Sequence, residues 1–102
     1  MLIWIPVDSE NGNASKIVPQ LEAQKWALVD FDEGVVKSIA FYNTIAELGG
    51  EWVDFIILSN KFENYIEYMN EGMMVLVVRE DQETIEEIIE AFKFKELDEI
   101  GL

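Results

Sequence analysis

A chain of 102 residues is enough for one compact domain and too short for two. It holds no Cys and no His, which excludes disulfides, thiolate nucleophiles, Cys-held iron–sulfur clusters, imidazole metal ligands and the commonest general base. With 21 acidic against 7 basic residues the formal charge is −14. That balance repels nucleic acid and anionic membranes and leaves basic proteins or cations as electrostatic partners, solubility being the plainer use of the charge.

Half of the residues are hydrophobic, so there is material for a core and the composition is not that of a disordered chain. Leu2-Ile3-Trp4-Ile5-Pro6-Val7 reads as a buried strand, with Pro6 expected near its end or at an edge because it donates no ladder hydrogen bond. The stretch has no basic flank and stops at Asp8, so it is not a signal peptide, and no apolar run is long enough to span a bilayer. The cytoplasm is the expected compartment. Asp8 to Asn13 is a turn-rich loop, and Ser15 to Gln24, which contains Pro19, is an irregular connection. Lys25 to Phe31 and Val35 to Tyr42 are two strands joined by the tight turn Asp32-Glu33-Gly34, hence a hairpin.

Thr44 to Leu48 is expected to form a short helix stopped by Gly49-Gly50. Val53 to Ser59 is apolar almost throughout, which suits a central strand covered on both faces. Asn60, with Glu63 three residues on, makes a capping-box-like start to a helix whose apolar stripe is Phe62, Tyr65, Ile66 and Met69 and whose stop is Gly72. Met73 to Val78 is a fifth strand. Asp81 is the expected cap of a last helix with Ile85, Ile88, Ile89 and Phe92 on one face. The order β-β-β-α-β-α-β-α implies an α/β fold with a mixed sheet, in which helical crossovers join parallel strands and one strand is reversed.

Five segments in order carry a resemblance: Ile3-Trp4-Ile5-Pro6-Val7-Asp8, Trp26-Ala27-Leu28-Val29-Asp30 with Gly34-Val35-Val36, Val53-Asp54-Phe55-Ile56-Ile57, Glu71-Gly72-Met73, and Thr84-Ile85-Glu86-Glu87-Ile88-Ile89-Glu90-Ala91-Phe92. They resemble the dinitrogenase iron–molybdenum cofactor biosynthesis family, the small carrier and accessory domains of nitrogenase assembly in nitrogen fixation. The resemblance implies a ribonuclease-H-like three-layer fold, one domain over residues 1–102 with a five-stranded mixed sheet, and a non-enzymatic role as carrier of an iron–sulfur or iron–molybdenum cluster. The departures fall in the loops. Where the family has Ser-Pro-His-Phe-Gly-Arg, this chain has Ile17-Val18-Pro19-Gln20-Leu21-Glu22-Ala23. The Gly-rich turn after strand four is here Ser59-Asn60-Lys61-Phe62, and the His- and Gly-rich approach to the first helix is Tyr42-Asn43-Thr44-Ile45. Such clusters take thiolate or imidazole ligands, and this chain offers only Met sulfur, carboxylates and backbone groups. The expectation is therefore a divergent member with its cluster ligands lost and its loops turned to protein contact.

Ligands of open α/β sheets gather at strand ends. The candidate positions are Asp8 and Ser15 after the first strand, Pro19, Gln20, Leu21 and Glu22 in the altered segment, and Ser59 and Asn60 after the fourth strand. Phe41, Tyr42 and Trp52 are the candidate partner-binding edge, since large aromatics dominate interfaces, and a third strand at the sheet edge offers homodimerisation as an alternative to a monomer. Two readings of other classes stand beside this one. Asp8, Asp30 and Asp54 would serve a Mg²⁺-dependent nuclease if they converged, against the repulsion of a polyanionic substrate. The other is an interaction or regulatory module that shares only the fold. The acidic run Glu86, Glu87, Glu90, Glu96, Asp98 and Glu99 lacks calcium-loop spacing and reads as a solvated helix face and tail. Of Met69, Met73 and Met74, periodicity places Met69 and one of the other two in the core; Trp4 and Trp26 are expected to pack together in the sheet.

Overall fold

The computed structural model describes residues 1–100. They form the strands β1 (Leu2–Val7), β2 (Lys25–Asp32), β3 (Val35–Tyr42), β4 (Phe55–Leu58), β5 (Met74–Val77) and β6 (Asp98–Ile100), with helices α1 (Ile66–Asn70) and α2 (Ile85–Lys93). Three 3-10 turns, Gly12–Ala14, Gln20–Glu22 and Ile45–Leu48, lie in the connections. The sheet runs β3-β2-β1-β4-β5-β6. β1, β4 and β5 are parallel; β2, β3 and β6 pair antiparallel to their neighbours.

The sheet has two buried faces because its central strands alternate apolar with apolar. Ile3, Ile5, Val7, Ala27, Val29 and Ile57 point to one side and pack with Ile85, Ile88, Ile89 and Ala91 of α2. Trp4, Leu28, Ile56, Leu58, Val75 and Val77 point to the other, where Tyr65, Tyr68, Met69 and Met73 cover them. Each fully buried Ile contributes about 1.5–3 kcal/mol of transfer free energy. β4 alternates between both clusters, as its unbroken apolar run requires. Trp4 and Trp26 stack at 5.2 Å. Met73 is buried and Met69 packs on its cluster, while Met74 is exposed. Pro6 lies near the end of β1, beyond the residues that pair with β4, and its carbonyl accepts the Val18 N–H. The hairpin turn places Glu33 and Gly34 at φ 51° and 82°, the left-handed pair that a two-residue hairpin needs.

Several expectations are corrected. The sheet has six strands where five were expected. The run Asp98-Glu99-Ile100, read as acidic tail, pairs with Val77, Leu76 and Val75. Its low β-propensity is overridden by Leu97, buried against the α2 face, and Ile100, packed on the opposite one. The helix expected from Asn60 begins only at Ile66. Asn60 Oδ1 accepts the Phe62 N–H, and the Glu63 carboxylate accepts the Ser59 and Asn60 N–H groups, so side chains compete with the helical first turn and win. Phe62 and Ile66, assigned to the apolar stripe, are consequently exposed. Thr84, not Asp81, caps α2: its Oγ1 accepts the Glu87 N–H while Glu87 accepts the Thr84 N–H. Within the short helix expected over Thr44 to Leu48, Ile45–Leu48 forms a 3-10 turn, with Thr44 as its extended cap and left-handed Gly49 as its stop.

Candidate functional site

The connections leaving the carboxyl ends of β1 and β4 meet on the α1 side of the sheet. There Pro19, Gln20, Leu21, Glu22, Asn60, Phe62, Glu63 and Asn64 line a groove of about 530 Å³. Five of the eight predicted ligand positions are in it: Pro19, Gln20, Leu21, Glu22 and Asn60. Ser59 is tied to it through Glu63, whose carboxylate accepts its N–H and its hydroxyl.

Glu63 builds this groove. Its Oε1 accepts the Gln20 N–H at 2.7 Å; its Oε2 accepts the backbone N–H groups of Ser59 and Asn60 at 3.1 and 3.2 Å and the Ser59 hydroxyl. One carboxylate thus ties together segments 43 residues apart. The Gln20 amide completes the link: its Nε2 donates to the Asn64 carbonyl and its Oε1 accepts from the Tyr68 hydroxyl at 2.8 Å. Burial, reinforced by the neighbouring carboxylates Glu67, Glu63 and Glu71, raises the Tyr68 phenol above its usual range. The rim is apolar: Leu21 is fully exposed and Phe62 is 86% exposed. Lys61 Nζ lies 5.5 Å from the Phe62 ring centroid, but no Lys or Arg lines the groove itself.

The remaining predicted positions lie elsewhere. Ser15 is fully buried; its hydroxyl accepts the Asn11 N–H and its carbonyl accepts the N–H of Ile85, so it fastens the first loop to the start of α2. Asp8 accepts the Lys16 N–H and the Ser9 hydroxyl, and the backbone bond from Lys16, with the side-chain bond from Ser9, holds its carboxyl below the usual range. Both residues work in loop closure. Phe41, Tyr42 and Trp52 do not form one patch. Phe41 packs on the α2 face and Tyr42 on the opposite one. Tyr42 is in register with Trp26 and so with Pro6, whereas Asp54, two residues past Trp52, bonds Leu2 at the other end of β1. Trp52 instead lays its ring over Gly72, where a Cβ would sit 2.6 Å from it. The nuclease constellation does not assemble. Asp30 is in register with Leu2 and Asp54 bonds its N–H, while Asp8 follows the far end of the strand, about 20 Å away along an extended chain. Among the described residues no three of Asp and Glu gather to hold a metal ion.

Sequence reasoning missed Glu63, Asn64 and Phe62 as parts of the site by assigning them to a helix. The Asn60–Glu63 spacing was the available signal, since it serves a side-chain-closed turn as well as a capping box. The donors in the groove are carboxylate, amide and backbone groups. A cluster of the kind the resemblance implies needs thiolate or imidazole, and neither exists in the chain. The residues do not fit that group. They fit a ligand that gives apolar surface to Leu21 and Phe62 and positive charge to the groove carboxylates Glu22 and Glu63.

No family model matches the chain, and no curated protein matches it. Solved structures do. The protein PH0822 superposes over 98% of this chain and 96% of its own with a TM-score of 0.72 at 19% identity. A "putative dinitrogenase (mj0327)" from Methanocaldococcus jannaschii gives 0.77 at 22% identity, over 99% of this chain and 95% of its own. A "putative NifB protein" from Thermotoga (TM1290), of the DUF35 family, gives 0.70 at 23% identity over 96% and 91%. At these identities the likeness is one of fold. No helix among the described residues is long and apolar enough to cross a membrane.

Proposed function

We propose that this chain is a non-enzymatic binding domain with a ribonuclease-H-like fold, a divergent relative of the carrier and accessory domains of nitrogenase cofactor assembly. In this reading the groove holds a protein segment in place of a metal cluster. The opening hairpin and the order β3-β2-β1-β4-β5, with β6 added at the edge, support the fold assignment. The nitrogenase-related names of two full-length structural neighbours support the kinship.

The observation that carries the functional reading is the make-up of the groove. Its floor is a completed hydrogen-bond network, its rim is Leu21 and Phe62, and it has no side chain able to ligate iron in the family's manner. Exposed apolar pairs of this kind mark contact surfaces. Glu22 at the groove and the net charge of −14 favour a segment that presents an apolar side chain between basic ones.

Two experiments test this. Anaerobic titration with a preformed iron–sulfur cluster should leave no protein-bound charge-transfer absorbance; stoichiometric uptake would overturn the reading. Peptide display against the intact chain should enrich basic–apolar sequences whose binding is lost in Leu21→Ser and in Phe62→Ser. Peptides that bind these variants as well as the parent would place recognition elsewhere.

A further inference from the structure

The sheet ends in two unlike edges. β6 is three residues long and carries Asp98 and Glu99, so its brevity and charge discourage further pairing. β3 is eight residues long and, among the described residues, has a neighbour on one side only. It also lies inside residues 34–46, the longest run of this acidic chain without an Asp or Glu.

The halves of β3 differ. Between Asp30 and Phe31 the register with β2 shifts, so Lys37 has no residue opposite it. A bulge and a charge together blunt that half. From Ser38 to Tyr42 the ladder is regular, from Asp30↔Ser38 to Trp26↔Tyr42, and this half carries no charge. Ile39 and Phe41 are half-buried on the α2 side; Tyr42 lies on the other side, 6.1 Å from Trp4.

We propose that Ser38–Tyr42 is a dimerisation edge, at which β3 of a second copy of this chain pairs antiparallel and the two sheets become continuous. Parity and charge argue for a copy. A two-fold axis normal to the sheet keeps the faces of both copies aligned, so residues opposite one another must point to the same side. Centring the axis on Ala40 satisfies this. Ala40 then faces Ala40, Ile39 faces Phe41 on the α2 side, and Ser38 faces Tyr42 on the other. Apolar meets apolar, hydroxyl meets hydroxyl, and no like charges oppose. Two copies at −14 repel wherever carboxylates approach, so the acid-free run is where a copy is least opposed. A basic partner, by contrast, gains nothing at this edge.

The charge argument fixes the sign of the salt dependence. Screening weakens repulsion between like-charged copies, so dimerisation should tighten as NaCl rises from about 0.05 M to about 0.5 M. Sedimentation equilibrium over a concentration series reads this directly. Because the chain has no cysteine, Ala40→Cys gives a clean second measurement. Across the axis its Cα would stand about 4.5–5.5 Å from its counterpart, within the span a disulfide bridges, so diamide should form an intermolecular disulfide; Val35→Cys, in the blunted half, should not. Ala40→Lys, which sets two ammonium groups face to face, should weaken the dimer at least about tenfold even though it lowers the net negative charge. A monomer at every salt and concentration would overturn the proposal. So would a dimer whose Ala40→Cys form cross-links no faster than Val35→Cys, since that dimer uses another surface.

Discussion

The two covered faces of this sheet are built by opposite means. α2 has nine residues, a complete capping box at Thr84 and Glu87, and four buried side chains, Ile85, Ile88, Ile89 and Ala91. α1 has five residues, no side-chain cap and no fully buried residue. The face under α1 is filled largely by wide side chains, Trp4, Tyr65, Tyr68, Met69 and Met73, in place of a full helical stripe. The stretch expected to make the first turn of α1 is instead closed by Glu63 and Asn60, and its residues Asn60, Phe62, Glu63 and Asn64 line the groove. The truncated helix leaves concave surface beside a strand end, where open α/β sheets place ligands, whereas the concavity on the α2 side, lined by Phe55, Leu76, Phe92 and Leu97, lies toward the β5–β6 edge.

That contrast is open to attack by mutation. Ile88→Ala removes a fully buried side chain on the α2 face and should cost about 2–5 kcal/mol in denaturant unfolding. Ile66→Ala on α1, at a residue 51% exposed, should stay within about 0.5 kcal/mol. Equal losses would mean that the two helices seal their faces equally well. Glu63→Ala leaves the N–H groups of Gln20, Ser59 and Asn60 without their acceptor and should cost about 1–3 kcal/mol. Amide exchange should speed up at those three positions and not in β1. If exchange quickens uniformly, Glu63 is part of the core and not a clamp on the groove. Thr84→Ala should cost about 1 kcal/mol by removing the α2 cap, with no change in groove exchange.

The smallest effect is a pH dependence. Backbone hydrogen bonds hold Glu87, Glu47 and Asp8 below their ordinary values, 4.5 for Glu and 3.8 for Asp, the main donors being the N–H groups of Thr84, Thr44 and Lys16 respectively. A carboxyl whose folded pKa is depressed adds stability above its unfolded value and loses it as pH falls through the folded one. The melting temperature should therefore be flat above about pH 5 and fall below pH 4.5 as these groups protonate. Glu87→Gln, which removes the titrating carboxyl, should flatten the part of that fall due to Glu87, whereas Thr84→Ala keeps the Thr84 N–H that is the main donor and should change the slope less. An unchanged slope in Glu87→Gln would show that the Glu87 titration does not contribute to the acid limb.

Sequence alone determined the parts whose energetics are local. Strict apolar runs gave β1 and β4; the Asp32-Glu33-Gly34 turn gave the β2–β3 hairpin; the spacing of Ile85, Ile88 and Ile89 gave α2. The same reading reached most of the groove-lining residues, because Pro19 to Glu22 and Asn60 fall just past strand ends. Tertiary structure alone decided the rest. β6 exists because Leu97 and Ile100 find opposite faces of a sheet already formed, which a run rich in Asp and Glu does not announce. The groove exists because Glu63 meets Gln20 across 43 residues and Tyr68 meets Gln20 across 48. Hydrogen bonds of that span leave no period in the sequence, since nothing about either partner's neighbours depends on the other until the chain has folded.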